Sequence, residues 1–188
     1  MKETHPFGSF VPRRATFLIL GSFTGRQAVQ DGAGTDSAYD WFYGTRRNQF
    51  WPILEAVYGL NLKDKASKQE ALESLGIAIA DLIYQCERKQ GNNLDNNLYN
   101  IVYNTEEIVR ILESYPIQTI LFSSRFVEKR FSKIFRDYLK NRPDLTFITL
   151  PSPSPRYAQM TLAQKIKRYR ELLPSLKRAP RRAAKAGN

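Results

Sequence analysis

The chain has 188 residues and 42% hydrophobic residues, enough for one domain with a single core. It carries 29 Lys and Arg against 18 Asp and Glu, a formal net charge of +11 that calls for an anionic partner, most simply a nucleic acid. One cysteine, Cys86, and one histidine, His5, exclude an internal disulfide and leave no material for a Cys/His metal site or a four-cysteine iron–sulfur cluster. No metal or cofactor is called for. No segment approaches membrane-span length and the N-terminus lacks a signal-peptide pattern, so the expectation is a cytoplasmic, monomeric protein, nucleoid-associated when bound to DNA.

In chain order, residues 1 to 15 read as an irregular lead-in broken by Pro6, Gly8 and Pro12. Thr16 to Leu20 is a wholly buried kind of strand, followed by a long polar loop from Gly21 to Asp40 with four glycines. A helix is expected from Gln49 to Tyr58, with Pro52 in its first turn and Gly59 as its stop. Ser67-Lys-Gln-Glu70 reads as a capping box opening a helix to Leu75, and Ile77 to Ala80 as a second strand ending at Asp81. Asn92 to Asn104 holds six asparagines and reads as a loop with a turn of helix. Asn104 caps a helix to Tyr115, and Ile117 to Ser123 is a third strand followed by an amphipathic helix.

Leu145 to Leu150 is the fourth strand, and Thr161-Leu-Ala-Gln164 caps the last helix. Its apolar face is Leu162, Ile166, Tyr169, Leu172 and Leu173, with Lys165, Lys167, Arg168 and Arg170 in water. The expected boundaries are one domain over 1–176 and a basic, flexible tail over 177–188. Setting the tail aside still leaves a clearly basic domain. Strands alternating with helices predict a three-layer α/β/α sandwich around a four-stranded parallel sheet, with the ligand site beyond the carboxyl ends of the strands.

That rule places Gly21–Gly25, Asp81, Ser123–Ser124 and Pro151–Tyr157 on one edge. Pro151-Ser152-Pro153-Ser154-Pro155-Arg156-Tyr157 joins the last strand to the last helix. Its prolines stiffen it, its serines and Arg156 suit a phosphate, and Tyr157 could wedge into a base stack; an ordinary Pro-rich connection is the plainer alternative. Leu18-Ile-Leu-Gly21-Ser22-Phe23 ends the first strand, and Tyr43-Gly-Thr-Arg46-Arg47-Asn48-Gln-Phe-Trp51 follows it. These three motifs, in this order, resemble the uracil-DNA glycosylase superfamily and most of all its hypoxanthine-DNA glycosylase branch, over Phe17 to Pro174.

The resemblance implies a DNA glycosylase that hydrolyses the N-glycosidic bond of a flipped, deaminated base, uracil or hypoxanthine, with DNA as its partner. It implies Asn48 as the residue that positions water or steadies the sugar cation, with a helix N-cap as the alternative. Members often place a histidine in the Pro-Ser motif and an Asp or Asn two residues after the first motif's glycine. Here Pro151-Ser152 and Phe23 stand there, and His5 lies far away in sequence, so Ser152 or backbone amides would polarise the leaving base. Asp81 is the implied reader of the base edge, with a turn cap as alternative. Gly21, Ser22, Phe23 and Tyr43 would form the base pocket, and Arg46 and Arg47 would meet phosphates or simply be solvated. An inactive nucleic-acid-binding module of the same fold is the second reading. A flavodoxin-like enzyme for a phosphorylated small molecule is the third, weakened because Gly21-x-x-x-Gly25 lacks a P-loop ending.

Overall fold

A computed structural model describes residues 2–24, 41–89 and 97–176. Its centre is a parallel sheet of β2 (Phe17–Gly21), β3 (Ile77–Asp81), β6 (Thr119–Phe122) and β7 (Thr146–Thr149), in the order β3-β2-β6-β7. Side chains alternate between the two faces of such a sheet, so near-continuous apolar strands must be covered on both. Ile19, Ile77, Ile79 and Leu121 pack on one side under α1 (Phe50–Tyr58), α2 (Lys65–Leu75) and α6 (Leu162–Leu172). Leu18, Leu20, Ala78, Ala80, Ile120 and Phe122 pack on the other under α3 (Thr105–Ser114), α4 (Arg125–Ile134) and the short α5 (Arg136–Leu139). The predicted α/β/α sandwich around a four-stranded parallel sheet is the observed one.

Several local readings need correction. The lead-in is not wholly irregular: β1 (Lys2–Thr4) pairs antiparallel with β4 (Ile83–Arg88), which pairs with β5 (Leu98–Tyr103) in a second sheet. The described part of the Asn-rich stretch is therefore mostly strand, not loop and helical turn. Helix α2 begins at Lys65 rather than Ser67. Asp64 is its N-cap, and Ser67 is the third-residue partner of that capping box, because a carboxylate accepts from the Ser67 amide at 2.8 Å. Asn104 does flank α3, but its side chain donates to the Asp81 carbonyl instead of capping. On α6 the capping box of Thr161 and Gln164 is present, whereas Lys165 is buried and Leu162 is 41% exposed. The expectations for residues 25–40, 92–96 and the tail at 177–188 lie outside the described residues.

Register fixes where the site lies. Gly21 pairs with Asp81, Leu20 with Phe122, and Phe122 with Thr149, so four strand ends finish level with one another. The loops leaving them share one edge of the molecule. Among the described residues no helix is long and apolar enough to cross a membrane.

Candidate active site

The site starts where β2 and β3 end. Gly21 has no side chain, and a Cβ there would lie 2.1 Å from Asp81 Oδ1 and 2.6 Å from the Tyr43 hydroxyl. Glycine is thus what lets a carboxylate and a phenol meet over the main chain. Asp81 is 5% exposed, and its other oxygen, Oδ2, lies 2.9 Å from His5 Nε2. Sequence distance set His5 aside, yet β1 carries it to this edge, held by the bond from its own amide to the Tyr84 carbonyl. Beside it Phe23 sits under the Arg88 guanidinium at 5.7 Å. Arg88 is itself buried, pairing with Glu3 and donating to the Thr24 carbonyl, so β1 and the loop after β2 are tied together.

The second wall is the segment before α1. Trp41 and Phe42 are buried, and Trp51 Nε1 donates to the Phe42 carbonyl at 2.7 Å, pinning the segment to its helix. Tyr43 takes a left-handed backbone, φ 56°, and its ring stacks on Phe50 at 4.3 Å. A bulky residue there costs on the order of 1–3 kcal/mol and persists only where the surroundings enforce it. Asn48 lines the cavity, and its Oδ1 accepts from the Phe50 amide at 2.9 Å. Asn48 is not the N-cap weighed from the sequence: that position is Gln49, which makes no side-chain cap bond, while the Asn48 carboxamide one residue earlier braces the approach to the helix and leaves its NH2 to face other work. Arg46 and Arg47 are exposed on the same wall.

The third wall is the Pro-Ser loop after β7. Ser152 Oγ accepts from the Ser154 amide and Ser154 Oγ from the Arg156 amide, both at 3.3 Å, so each hydroxyl braces the loop and keeps its own O–H to donate. The loop is strapped to its surroundings in three places. The Gln49 amide donates to the Pro153 carbonyl at 2.9 Å, and the Tyr169 hydroxyl donates to the Pro151 carbonyl at 2.8 Å. Lys165 Nζ donates to both Gln49 Oε1 and the Ser154 carbonyl, at 2.8 and 2.9 Å. Lys165 is 1% exposed, and burial pulls its ammonium below the usual lysine range, while burial pushes the Tyr169 phenol above the usual tyrosine range. Stiffness here comes from these straps as well as from proline.

The three walls enclose a cavity of about 1060 Å³. Of the residues singled out in sequence, Ser22, Phe23, Tyr43 and Asp81 line its floor, Arg46, Arg47 and Asn48 one side, and Ser152, Pro153, Ser154, Pro155 and Arg156 the other. Gly21 lies beneath it. Pro151 and Tyr157 do not line it; the face of the Tyr157 ring lies 5.4 Å from the Lys165 ammonium, which leaves the proposed wedge without that ring at the cavity wall. Sequence reasoning missed His5, Lys165 and Tyr169, whereas Ser123, placed at the strand-end edge from the sequence, does line the cavity. Only the lone-histidine count could have flagged the first. Among the described residues no group of three or more His, Cys, Asp or Glu side chains could hold a metal ion.

No family profile matches the sequence, and no curated protein sequence does either. Seventeen chains of solved structures do match in fold. One is the solution NMR structure of a Methanosarcina acetivorans protein described as a candidate uracil DNA glycosylase, with TM-score 0.65 and 20% sequence identity over 92% of this chain and 99% of that one. The fold is uracil-DNA glycosylase-like. In open sheets of this kind ligands enter the crevice beyond the carboxyl ends of the strands. The cavity of this glycosylase-like fold opens there, lined by Ser22, Asp81, Ser123 and Ser152 from the four connections.

Proposed function

We propose that the chain is a monofunctional DNA glycosylase that removes a deaminated base, uracil or hypoxanthine, from DNA, within the uracil-DNA glycosylase superfamily and nearest its hypoxanthine branch. The observation that carries this reading is the make-up of the cavity. Phe23 and Tyr43 supply rings for a flipped base, Asp81 a polar edge reader, Asn48 an amide, Ser152 a hydroxyl, and Arg46, Arg47 and Arg156 a cationic rim. A net charge of +11 supports a nucleic-acid substrate held by phosphate contacts.

The chemistry is hydrolysis through an oxocarbenium-like sugar. The C1′–N bond breaks, its electron pair leaves with the base, and water adds to C1′ and gives up a proton. The Asn48 amide orients that water or steadies the developing cation, while the Ser152 O–H donates to the departing base. A lyase step needs a free amine to form a Schiff base. Among the described residues no lysine lines the cavity, and Lys165 Nζ is committed to the loop, which supports water as the nucleophile.

A second reading, an inactive DNA-binding module of the same fold, is favoured by the engagement of Asn48 Oδ1 with the Phe50 amide. Alkali-revealed cleavage of labelled oligonucleotides containing uracil, hypoxanthine, xanthine or mismatched thymine separates the two. The wild type is expected to cut at a deaminated base, and Asn48→Ala to lose about 100-fold or more in rate, with DNA affinity nearly intact and about 1 kcal/mol of stability gone with the bond to the Phe50 amide. Salt-sensitive DNA binding without cleavage of any substrate would favour the module, and undiminished turnover by Asn48→Ala would sink its assignment.

A further inference from the structure

We infer that His5 is a positioning residue: its Nε2–H fixes Asp81 as an acceptor-only carboxylate at the cavity wall, selecting bases that present a ring N–H there over bases that present a ring lone pair. This deepens the glycosylase reading and rests on it.

The geometry settles the imidazole from both ends. The Phe7 amide donates to His5 Nδ1 at 3.3 Å, so that nitrogen is the acceptor and Nε2 carries the hydrogen. Nε2–H therefore points into Asp81 Oδ2 at 2.9 Å. The ring is caged by Phe7, Phe23 and Phe42, with centroids 5.8, 5.7 and 5.4 Å away, and its side chain is 5% exposed. His5 is not a lining residue of the cavity, so it acts through Asp81 and not on the base.

Asp81 is held on all sides. His5 takes Oδ2, Asn104 donates to its backbone carbonyl at 3.2 Å, and Oδ1 lies over the bare Cα of Gly21. A carboxylate locked in this way only accepts. Uracil and hypoxanthine carry a lactam N–H on the pairing edge, which such an oxygen receives. Cytosine and adenine carry a lone pair on the same ring nitrogen, which it repels. A site built to hydrogen-bond one group rejects the analogue lacking it far more strongly than an apolar pocket rejects a change of shape. His5 Nε2–H occupies Oδ2 and so holds the carboxylate in one orientation at the cavity wall.

The test compares wild type, His5→Phe and His5→Gln. Gln offers an N–H near the position of Nε2, while Phe keeps the aromatic contacts and donates nothing. Binding is measured to single strands carrying 2′-fluoro-2′-deoxyuridine or 2′-fluoro-2′-deoxycytidine, whose fluorine slows bond cleavage, and excision is measured on the deoxyuridine strand. The wild type is expected to prefer the uracil strand by about tenfold or more. His5→Phe should lose most of that preference, and about tenfold in excision, with unchanged affinity for an undamaged strand, and His5→Gln should restore both. An undiminished preference in His5→Phe, or no preference in the wild type, overturns the inference. If the wild type prefers the uracil strand yet cuts nothing, catalysis fails and the role of His5 stands. Should His5→Phe not fold, the sole imidazole of the wild type gives one set of long-range ¹H–¹⁵N correlations. An Nε2–H tautomer is expected, and an Nδ1–H tautomer overturns the inference.

Discussion

Replacing Lys165 by Met keeps an unbranched side chain, one atom shorter, and removes its charge and its donors. The ammonium holds Gln49 Oε1 and the Ser154 carbonyl at 2.8 and 2.9 Å, so one atom ties the wall before α1 to the loop after β7. Each bond from a charged donor is worth about 1.5–3 kcal/mol, and both acceptors, on half-buried residues, would lose their partner. Against this, Met escapes the cost of burying a cation, the same cost that pulls the Lys165 ammonium below its usual range. The balance is a loss of roughly 2–4 kcal/mol, which for a domain of this size lowers Tm by roughly 5–15 °C. The two loops then part, and Asn48 and Ser152 no longer face one another at a fixed distance. A displacement of about 1 Å can cost about 100-fold in rate, so excision should fall by at least tenfold while DNA binding, driven by the exposed arginines, stays within about twofold. Thermal unfolding and single-turnover cleavage read the two effects. Lys167→Met, an exposed neighbour on α6, is the control and should change stability by less than about 0.5 kcal/mol. An unchanged Tm and rate in Lys165→Met would refute the assignment of this lysine as a strap.

Three further outcomes are expected. Gly21→Ala puts a Cβ 2.1 Å from Asp81 Oδ1, so the carboxylate must move; excision should drop about 100-fold in the cleavage assay, with a fall of only a few degrees in Tm. Tyr58 and Tyr169 are both held above their ordinary value of 10.0 by burial, so their contribution to stability is complete below that pH and declines as pH rises past it, when only the unfolded chain ionises. Denaturant midpoints measured from about pH 9 to about pH 11 should fall, and Tyr169→Phe should flatten the decline. Arg46→Ala with Arg47→Ala should weaken binding equally to damaged and undamaged strands and reduce the slope of log affinity against log salt by about 1.4–1.8. A slope unchanged within error would make these two arginines solvated charges only.

The parallel sheet was legible because its strands are apolar through their middles, with polar residues confined to the ends, such as Asp81 in β3 and Thr119 in β6. The second sheet was not. Its β4 strand runs Ile-Tyr-Gln-Cys-Glu-Arg, and shifts of register on either side of Gln85 break the alternation that a strand normally shows. Arg88 is buried there only because Glu3 comes from 85 residues away to meet it. The site divides along the same line. Asn48, Ser152 and Asp81 stood out through local motifs and strand ends, whereas His5 and Lys165 owe their positions to long-range pairing. A lysine at helical spacing among charged neighbours looks solvated until the carbonyls that need it are known, and a histidine in a polar lead-in offers no period at all.

The route by which His5 reaches Asp81 also sets an order of events during synthesis. The two residues are 76 positions apart, and at about 5–20 residues per second the histidine is incorporated roughly 4–15 s before its carboxylate exists. Its carrier, Lys-Glu-Thr, has no apolar face to bury in the meantime, so the segment waits in solvent without inviting aggregation. Closing so long a loop is slow relative to joining β2 to its helical neighbours. Until that loop closes, the proposed discrimination between bases has no fixed carboxylate behind it, and the piece that completes it is a strand of three residues.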